Sequence, residues 1–269
     1  MELKDKEFNQ IRDYIKKHFG IALGAEKNAL VFSRLRPLLT QKGFTDFSKY
    51  IDYLINDKTG EAAVVFINRL TTNHTFFMRE PEHIAYLRDV VLPWIEESFG
   101  HEKDLRLWCA GCSSGEESYT LQMTVTDYFK NKGGWDIEIL ATDISEKVLQ
   151  QATLGIYHND SLKTMPQEWL GKYFNKFDNE NMVVNNDIKK RITYRKFNLM
   201  EKNLPFKKKF QVIFCRNVMI YFDNATRQEL VNRFYDALED NGYLFIGHSE
   251  SLSNIKSDFN YVMPATYRK

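Results

Sequence analysis

The spacing of the apolar residues changes near residue 105, and this change constrains the fold more than any other feature of the sequence. Up to about Leu70 the apolar residues recur three and four positions apart, as in Phe8, Ile11 and Ile15, which predicts a small bundle of amphipathic helices. From Leu105 onward, short apolar runs alternate with amphipathic stretches of helical length. Strands that alternate with helices predict a parallel sheet covered on both faces.

The second region is therefore predicted to have an α/β fold, a doubly wound and mostly parallel sheet of the Rossmann-like kind. Its strand candidates are LRLWCA, IEILAT, FQVIFC and YLFIGH, and its main helices are predicted over 115–129, 145–154 and 225–238. The stretch 155–197 interrupts the alternation with a helix near Pro166 and two β runs, MVV and ITYRKF, which predicts an inserted β-subdomain. The predicted organisation is a helical domain over 1–70, a linker and first helix over 71–100, and the α/β domain over 101–269.

Charge and composition exclude several functional classes. Lys and Arg total 37 against 36 Asp and Glu, so the chain lacks the basic excess typical of proteins that bind nucleic acid or anionic membranes. No signal peptide or long apolar run is evident, and we expect a cytoplasmic protein without direct membrane insertion. Cys109 and Cys112 have the spacing of half a zinc site, but Cys215 is the one other cysteine and no paired histidines stand near. We therefore predict that Cys109 and Cys112 are two packing cysteines at the strand end, and that no metal is bound.

The turn after the first strand has the composition of a cofactor site. LRLWCA runs directly into GCSSGEES and then a helix, where backbone N–H groups and a helix N-terminus face a ligand. Gly111 and Gly115 do not complete a GxGxxG pattern, so a simple tight turn stays open. Asp143 ends the second strand, where a carboxylate reaches ribose hydroxyls. Glu116 and Glu117 open the helix, and one of them is predicted to bind the ligand, although both also favour the helix dipole.

Six motifs follow one another between Leu70 and Ser251: LTTNHTFFMRE, CAGCSSGEES, ILATDIS, KFNL, FCRNVMIYF and GHSES. In this order and spacing they resemble the chemotaxis-receptor glutamate methyltransferases called CheR. The resemblance implies an S-adenosylmethionine-dependent methyltransferase fold, with S-adenosyl-L-methionine as cofactor and S-adenosyl-L-homocysteine as product. It further implies transfer of the methyl group to glutamate side chains of chemoreceptors, which forms methyl esters in chemotaxis adaptation.

The resemblance also implies the residues of the site. Asp143 matches the ribose ligand, Tyr221 matches an aromatic residue near the transferred methyl group, and Arg79 and Tyr221 are predicted to orient the incoming carboxylate. One departure is Ser118, which stands in the first turn of the helix where the family often has proline, so we expect a small local change. The full set of predicted cofactor contacts is Asn73, Thr75, Arg79, Gly111, Glu117, Asp143, Asn198, Leu199, Cys215, Arg216 and Asn217.

The implied reaction needs no general base. A glutamate carboxylate has a reference pKa of about 4.3 and is already ionised near neutral pH. Transfer of a methyl group from a sulfonium to a carboxylate neutralises both charges, so a site gains most by aligning the groups and excluding water. Alignment of this kind supplies about 7 to 11 kcal/mol of barrier lowering. The sequence agrees, because it offers no Ser-His-Asp order and no metal constellation.

Two segments are candidates for partner binding. Residues 24–43 carry Lys27, Arg34, Arg36 and Lys42 against Glu26 alone, which is either a solvated basic face or, as the resemblance implies, a surface for the acidic cytoplasmic helices of the receptor. The insertion resembles a β-subdomain that in some family members grips the receptor's C-terminal peptide through a glycine-bearing loop. Its turn here, FDNENM, has no glycine, so we do not expect this capture of a receptor tail.

Three other functions stay open at this point. One is an S-adenosylmethionine-dependent methyltransferase for a nucleobase or small molecule, although FCRN replaces the Asp/Asn-Pro-Pro-aromatic motif of amino-methylating enzymes. A second is a nicotinamide-dependent oxidoreductase, which the incomplete glycine pattern disfavours. A third is a catalytically silent signalling module that binds the cofactor as a sensor, which the intact set of matching residues disfavours.

Overall fold

The computed structural model describes residues 1–70 and 74–269. They group into two compact units. The first comprises Met1–His74 and Tyr221–Thr226, and the second comprises Thr75–Ile220 and Arg227–Lys269. Every helix among the described residues is too short or too polar to cross a lipid bilayer.

The first unit is helical, as the apolar spacing predicts. Its helices are α1 (Asp5–Phe19), α2 (Asn28–Gln41), α3 (Phe47–Asn56) and α4 (Glu61–Leu70). Each helix buries one apolar face, for example through Ile11, Leu35 and Phe66, and this shared core explains why the helices form together. Residues 221–226 also belong to this unit, which the sequence does not predict. Two contacts join them to it: Ala22 donates its N–H to the Tyr221 carbonyl (2.8 Å), and Lys16 Nζ lies 2.8 Å from Asp223 Oδ2.

The second unit contains ten strands and seven further helices, the last of which begins in the first unit. The strands are β1 (Asp104–Ala110), β2 (Asp136–Asp143), β3 (Ile156–His158), β4 (Phe174–Lys176), β5 (Asn181–Val184), β6 (Ile192–Lys196), β7 (Phe210–Cys215), β8 (Leu238–Ile246), β9 (Asn260–Met263) and β10 (Thr266–Arg268). The helices are α5 (Pro81–Tyr86), α6 (Leu92–Phe99), α7 (Glu116–Phe129), α8 (Glu146–Leu154), α9 (Gln167–Tyr173), α10 (Asn186–Lys189) and α11 (Asn224–Ala237), of which 224–226 falls in the first unit. A π-helical turn over Leu87–Val91 joins α5 to α6.

Seven strands form the main sheet in the order β6-β2-β1-β7-β8-β10-β9. The first five are parallel to one another, β10 pairs antiparallel with β8, and β9 pairs antiparallel with β10. All six residues of β7 are buried, as expected for a central strand covered on both faces. The predicted doubly wound, mostly parallel α/β sheet is therefore confirmed. Strands β9 and β10 were not predicted.

A second, three-stranded sheet has the order β3-β5-β4 and lies in the predicted insertion. The MVV run forms most of β5, but ITYRKF does not belong to this sheet. It forms β6, which pairs in parallel with β2 at the edge of the main sheet, with Ile192 opposite Ile139. The small sheet thus ends at Val184, short of the predicted limit at 197, because β6 satisfies the outer backbone groups of β2 instead.

Candidate cofactor site

The carboxyl ends of β1, β2, β6 and β7 lie along one edge of the sheet because these strands are parallel. Between β1 and α7 the chain passes through Gly111 (φ +87°) and Gly115 (φ +101°). A Cβ atom on Gly111 would lie 2.4 Å from Val218 Cγ2, and one on Gly115 would lie 2.9 Å from Ala152 Cβ. Both the backbone conformation and the lack of space require glycine at these two positions.

Asp143, at the end of β2, is half-buried and held by backbone donors. Its Oδ2 accepts the Ser113 N–H (2.9 Å) from the turn after β1, and its Oδ1 accepts the Ser145 N–H (2.9 Å). Burial raises the pKa of the Asp143 carboxyl above its usual range, and the backbone N–H groups oppose this shift. The result is a fixed acceptor whose remaining lone pairs suit hydroxyl donors.

Two further predicted residues follow β6 beside Asp143. The Phe197 N–H donates to the Asp143 carbonyl (3.0 Å), which brings the adjoining Asn198 and Leu199 to the same edge. Asn198 Oδ1 accepts the Met200 N–H (3.0 Å), and Leu199 is almost completely buried. A side-chain amide next to an apolar surface is suited to a planar heterocycle.

A buried ion pair lies at the end of β7. The Arg216 side chain is 1% exposed, and its Nε lies 2.8 Å from Glu117 Oε2 in the first turn of α7. Arg216 Nη2 donates to the Arg79 carbonyl (2.7 Å), and the Cys109 thiol donates to Glu117 Oε1 (3.3 Å). The structure thus brings together Glu117, Arg216 and the backbone of Arg79, but the Arg216 guanidinium is directed at protein groups.

Glu250 is a buried carboxylate that the sequence reasoning missed, although GHSES was noted as a motif. It accepts backbone N–H groups from Asn217 (2.8 Å), Gly247 (2.6 Å) and Ile220 (3.0 Å). Asn217 has φ +58°, so these bonds support a left-handed turn directly after Arg216. Burial raises the pKa of Glu250 in spite of these donors. An isolated glutamate in a polar motif carries no signal that would have predicted this role.

Glu80 and His83 form a second missed group. Glu80 Oε2 lies 3.3 Å from His83 Nδ1 and 4.0 Å from His248 Nε2. His83 is fully buried, its Nε2 contacts the Pro264 carbonyl (3.1 Å), and burial lowers its pKa to about 4. One Glu and two His ligand atoms within 4.8 Å of one another have the composition of a metal site. The Arg216 guanidinium, 3.5 Å from His83 Nδ1 and 3.8 Å from Glu80 Oε2, opposes a divalent cation there.

The remaining predicted contacts are distributed as follows. Thr75 begins the second unit and is half-buried, Cys215 is buried at the end of β7, and Asn73 lies outside the described residues. Tyr221 belongs to the first unit. All three cysteines are free and buried, in agreement with packed thiols.

Ser118 lies in the first turn of α7, as predicted. Its hydroxyl donates to the Gly115 carbonyl (2.9 Å) and lies 2.9 Å from the Tyr194 hydroxyl. The position is fully buried, so the family's proline is replaced here by a hydroxyl that is hydrogen-bonded to β6.

The predicted basic face of the first unit requires a correction. Lys27, Arg36 and Lys42 are exposed, but Arg34 is half-buried and donates to the Leu70 carbonyl at the end of α4. Arg34 and Arg36 are two residues apart on α2, which separates them by about 200° around the helix axis. The four cations therefore do not share one face, and Arg34 satisfies a helix end instead.

Comparison with known proteins agrees with this architecture. The chain matches two family models, described as "CheR methyltransferase, all-alpha domain" over residues 6–71 and "CheR methyltransferase, SAM binding domain" over residues 73–268. It is 41% identical to a chemotaxis protein methyltransferase of Borreliella burgdorferi, over 98% of this chain and 94% of that protein. It is 35% identical to the chemotaxis protein methyltransferase of Escherichia coli, over 96% of this chain and 89% of that protein. The chain therefore belongs to the CheR methyltransferase family.

Proposed function

We propose that this protein transfers the methyl group of S-adenosyl-L-methionine to glutamate side chains on the cytoplasmic helices of chemoreceptors, and so takes part in chemotaxis adaptation. The observation that carries the proposal is the Asp143 carboxylate, fixed by the Ser113 and Ser145 N–H groups at the strand edge. Membership of the CheR family supports the choice of cofactor and of a receptor as the substrate.

The residues at the strand edge fit this cofactor. Its ribose diol needs acceptors, and Asp143 has lone pairs left after its two backbone bonds. Its amino and sulfonium groups are positive, and Glu117 and Asp143 are carboxylates on adjoining elements. Its adenine needs an apolar surface with a polar edge, which Leu199 and Asn198 provide beside Asp143. The Ser113 hydroxyl is buried and has no hydrogen-bond partner among the residues that the structure describes, which leaves one more polar group for a ligand.

The protein's own residues have binding and orienting roles. The cofactor, when bound, supplies an electrophilic methyl group, and the receptor glutamate is already an anion, so no residue needs to remove a proton. Asp143 fixes the ribose, and Asn198 with Leu199 fixes the base. The Arg79 guanidinium orients the incoming carboxylate, while Arg216 holds the Arg79 carbonyl and Glu117 in place. The orienting role predicted for Tyr221 stays a prediction.

The reaction is tested by label transfer. The protein is incubated with methyl-labelled S-adenosyl-L-methionine and receptor-bearing membranes, and the labelled receptor is then treated with mild alkali. A glutamate methyl ester releases the label as methanol. A label that resists alkali would indicate a methylated amine and would contradict the proposal, as would the absence of label in the presence of bound cofactor.

The orienting role of Arg79 is tested in the same assay. Replacing Arg79 by Ala should lower kcat/KM for receptor methylation by about 100-fold, because misplacing a reactant has effects of this size. The matched control is Arg88→Ala, on an exposed side chain paired with Asp89. Full methyl transfer by Arg79→Ala would remove both the orienting and the cofactor role given to Arg79.

We further propose that two exposed cations, Arg36 on α2 and Lys42 directly after it, meet acidic helices of the receptor. Arg36 lies over the Phe32 ring (6.0 Å) and Lys42 over the Tyr53 ring (5.6 Å), so both charges are placed against aromatic surface. Reversing both to Glu should reduce receptor methylation and its salt dependence, and leave cofactor binding unchanged. The control is Lys58→Glu, an exposed charge elsewhere in the same unit. Equal methylation by the double variant and the control would contradict the proposal.

A receptor tail is not required in this proposal. The turn between β4 and β5 is closed by Asp178, whose Oδ1 accepts the Glu180 and Asn181 N–H groups (both 2.8 Å), so it folds without glycine. We expect equal methylation of receptors with and without their C-terminal peptide, and no binding of that peptide alone. Micromolar binding of the peptide would overturn this part.

A further inference from the structure

We propose that Glu80 is a positioning residue for Arg79, a role that rests on the function proposed for Arg79 above. The starting observation is the backbone on either side of Arg79. Met78 has φ +58° and Glu80 has φ +52°, so two non-glycine residues in the left-handed region flank the same side chain. Such conformations are unfavourable for residues with a Cβ atom and persist where surrounding contacts impose them.

The contacts that impose this backbone come from several elements. On the N-terminal side, the Thr164 hydroxyl donates to the Phe77 carbonyl (2.8 Å), and the Met78 N–H contacts Thr120 Oγ1 (3.4 Å). At Arg79 itself, the carbonyl accepts Arg216 Nη2 (2.7 Å). The segment is therefore fixed up to Arg79 by groups on the body of the second unit.

Glu80 fixes the C-terminal side with its side chain. Its Oε1 accepts the His248 N–H (3.2 Å), and its main-chain carbonyl accepts the His83 N–H (3.0 Å) at the start of α5. Its Oε2 is buried and lies 3.3 Å from His83 Nδ1 and 3.8 Å from Arg216 Nε, but it makes no hydrogen bond among the described residues. One carboxylate thus lies against the loop after β8, helix α5 and the arginine that holds the Arg79 carbonyl.

The charge of Glu80 matters because Arg216 is shared. Its guanidinium lies between Glu117 and Glu80, at 2.8 Å and 3.8 Å, and both carboxylates are nearly buried. With a neutral side chain of the same shape at position 80, Glu117 would be the one carboxylate left beside the Arg216 guanidinium. The guanidinium would then move toward Glu117, and the bond from Nη2 to the Arg79 carbonyl would lengthen. Glu80 therefore acts on Arg79 through the backbone, without touching a substrate.

A double-mutant cycle tests this inference. Glu80→Gln, Arg79→Ala and the double variant are compared by kcat/KM for receptor methylation, by affinity for S-adenosyl-L-homocysteine and by thermal unfolding. We expect Glu80→Gln to lower kcat/KM about tenfold in the wild-type background and to have no further effect once Arg79 is Ala, because residues that act through one contact are not additive. The control is Glu82→Gln, an exposed glutamate two residues away.

The outcomes separate this inference from the proposed function. If Arg79→Ala is fully active, the role of Arg79 fails first, and the positioning role falls with it. If Arg79→Ala is impaired but Glu80→Gln is silent or has the same effect in both backgrounds, the positioning role alone is overturned. Should Glu80→Gln not fold, Arg216→Lys replaces it. That variant keeps the charge but loses the separate Nη2 donor that reaches the Arg79 carbonyl, and the same non-additivity is expected.

Discussion

Two carboxylates at the strand edge are held in different ways. Asp143, at the end of β2, is fixed by backbone N–H groups of Ser113 and Ser145, from its own strand end and the neighbouring turn. Glu117, at the start of α7, is fixed by the side chain of Arg216, which follows a strand far along the chain. The first arrangement uses backbone groups that the pairing of β1 with β2 brings together, whereas the second also needs a side chain that arrives with β7.

This difference has an energetic consequence. Backbone donors are neutral and are placed by the fold itself, so Asp143 depends on no single side chain. Glu117 and Glu80 depend on one buried guanidinium, and the loss of one partner from a buried ion pair leaves an uncompensated charge. The strand end at β2 should therefore tolerate changes to its neighbours, while the cluster at β7 should not.

The largest expected effect is on stability at the β7 end. Replacing Arg216 by Met should lower the free energy of unfolding by about 3 to 5 kcal/mol, because Glu117 and Glu80 are left buried without a cation. The measurement is equilibrium denaturation near neutral pH. Arg191→Met, on an exposed arginine, is the control and should change the free energy by less than about 0.5 kcal/mol. A similarly small change for Arg216→Met would erase the contrast between the two strand ends.

The next effect is a pH dependence from His83. Burial lowers its folded pKa to about 4, below an unfolded value of about 6.5, so the unfolded chain binds the proton first as pH falls. Its stabilising contribution is complete above about pH 6.5 and is lost on acidification towards pH 4. Between pH 7.5 and 5.0 the wild type should lose about 2 kcal/mol more than His83→Gln. Parallel stability curves for the two proteins would contradict the buried, neutral state of His83.

The smallest effect is expected in the first turn of α7. Ser118→Ala removes the hydroxyl that lies 2.9 Å from Tyr194 Oη and should lower the free energy of unfolding by about 1 kcal/mol. The backbone donors to Asp143 are untouched, so cofactor affinity should stay within about twofold. A large loss of affinity would show that the β2 end does depend on neighbouring side chains.

The sequence predicted those features that depend on local patterns. Apolar spacing predicts the helices of the first unit and strands β1, β2, β7 and β8. Asp143 was predicted as a ligand because it ends one of these apolar strands. Strand β6 is mostly exposed, so its apolar spacing does not indicate which strand it pairs with. ITYRKF was therefore predicted to belong to the insertion, although it pairs with β2. Strands β9 and β10 are short and antiparallel, and their apolar runs are too brief to give a period.

The missed parts of the candidate site share a physical cause. Glu80 and Glu250 are polar residues in polar motifs, and their partners are backbone and side-chain groups brought near by the fold. Arg34 was placed on a basic face because its partner, the Leu70 carbonyl, lies at the end of another helix. Residue type and spacing indicate which groups are present, but burial and long-range pairing decide what each one contacts.

The central claim is that the strand edge of the second unit binds S-adenosyl-L-methionine through Asp143, and calorimetry with S-adenosyl-L-homocysteine tests it most directly. The wild type should bind, and Asp143→Ala should bind about 100-fold more weakly, since two hydroxyl bonds to a charged acceptor are lost. Asp136→Ala, at the opposite end of β2, serves as the control and should bind like the wild type. Unchanged affinity in Asp143→Ala, or no heat of binding with folded wild-type protein, would contradict the account.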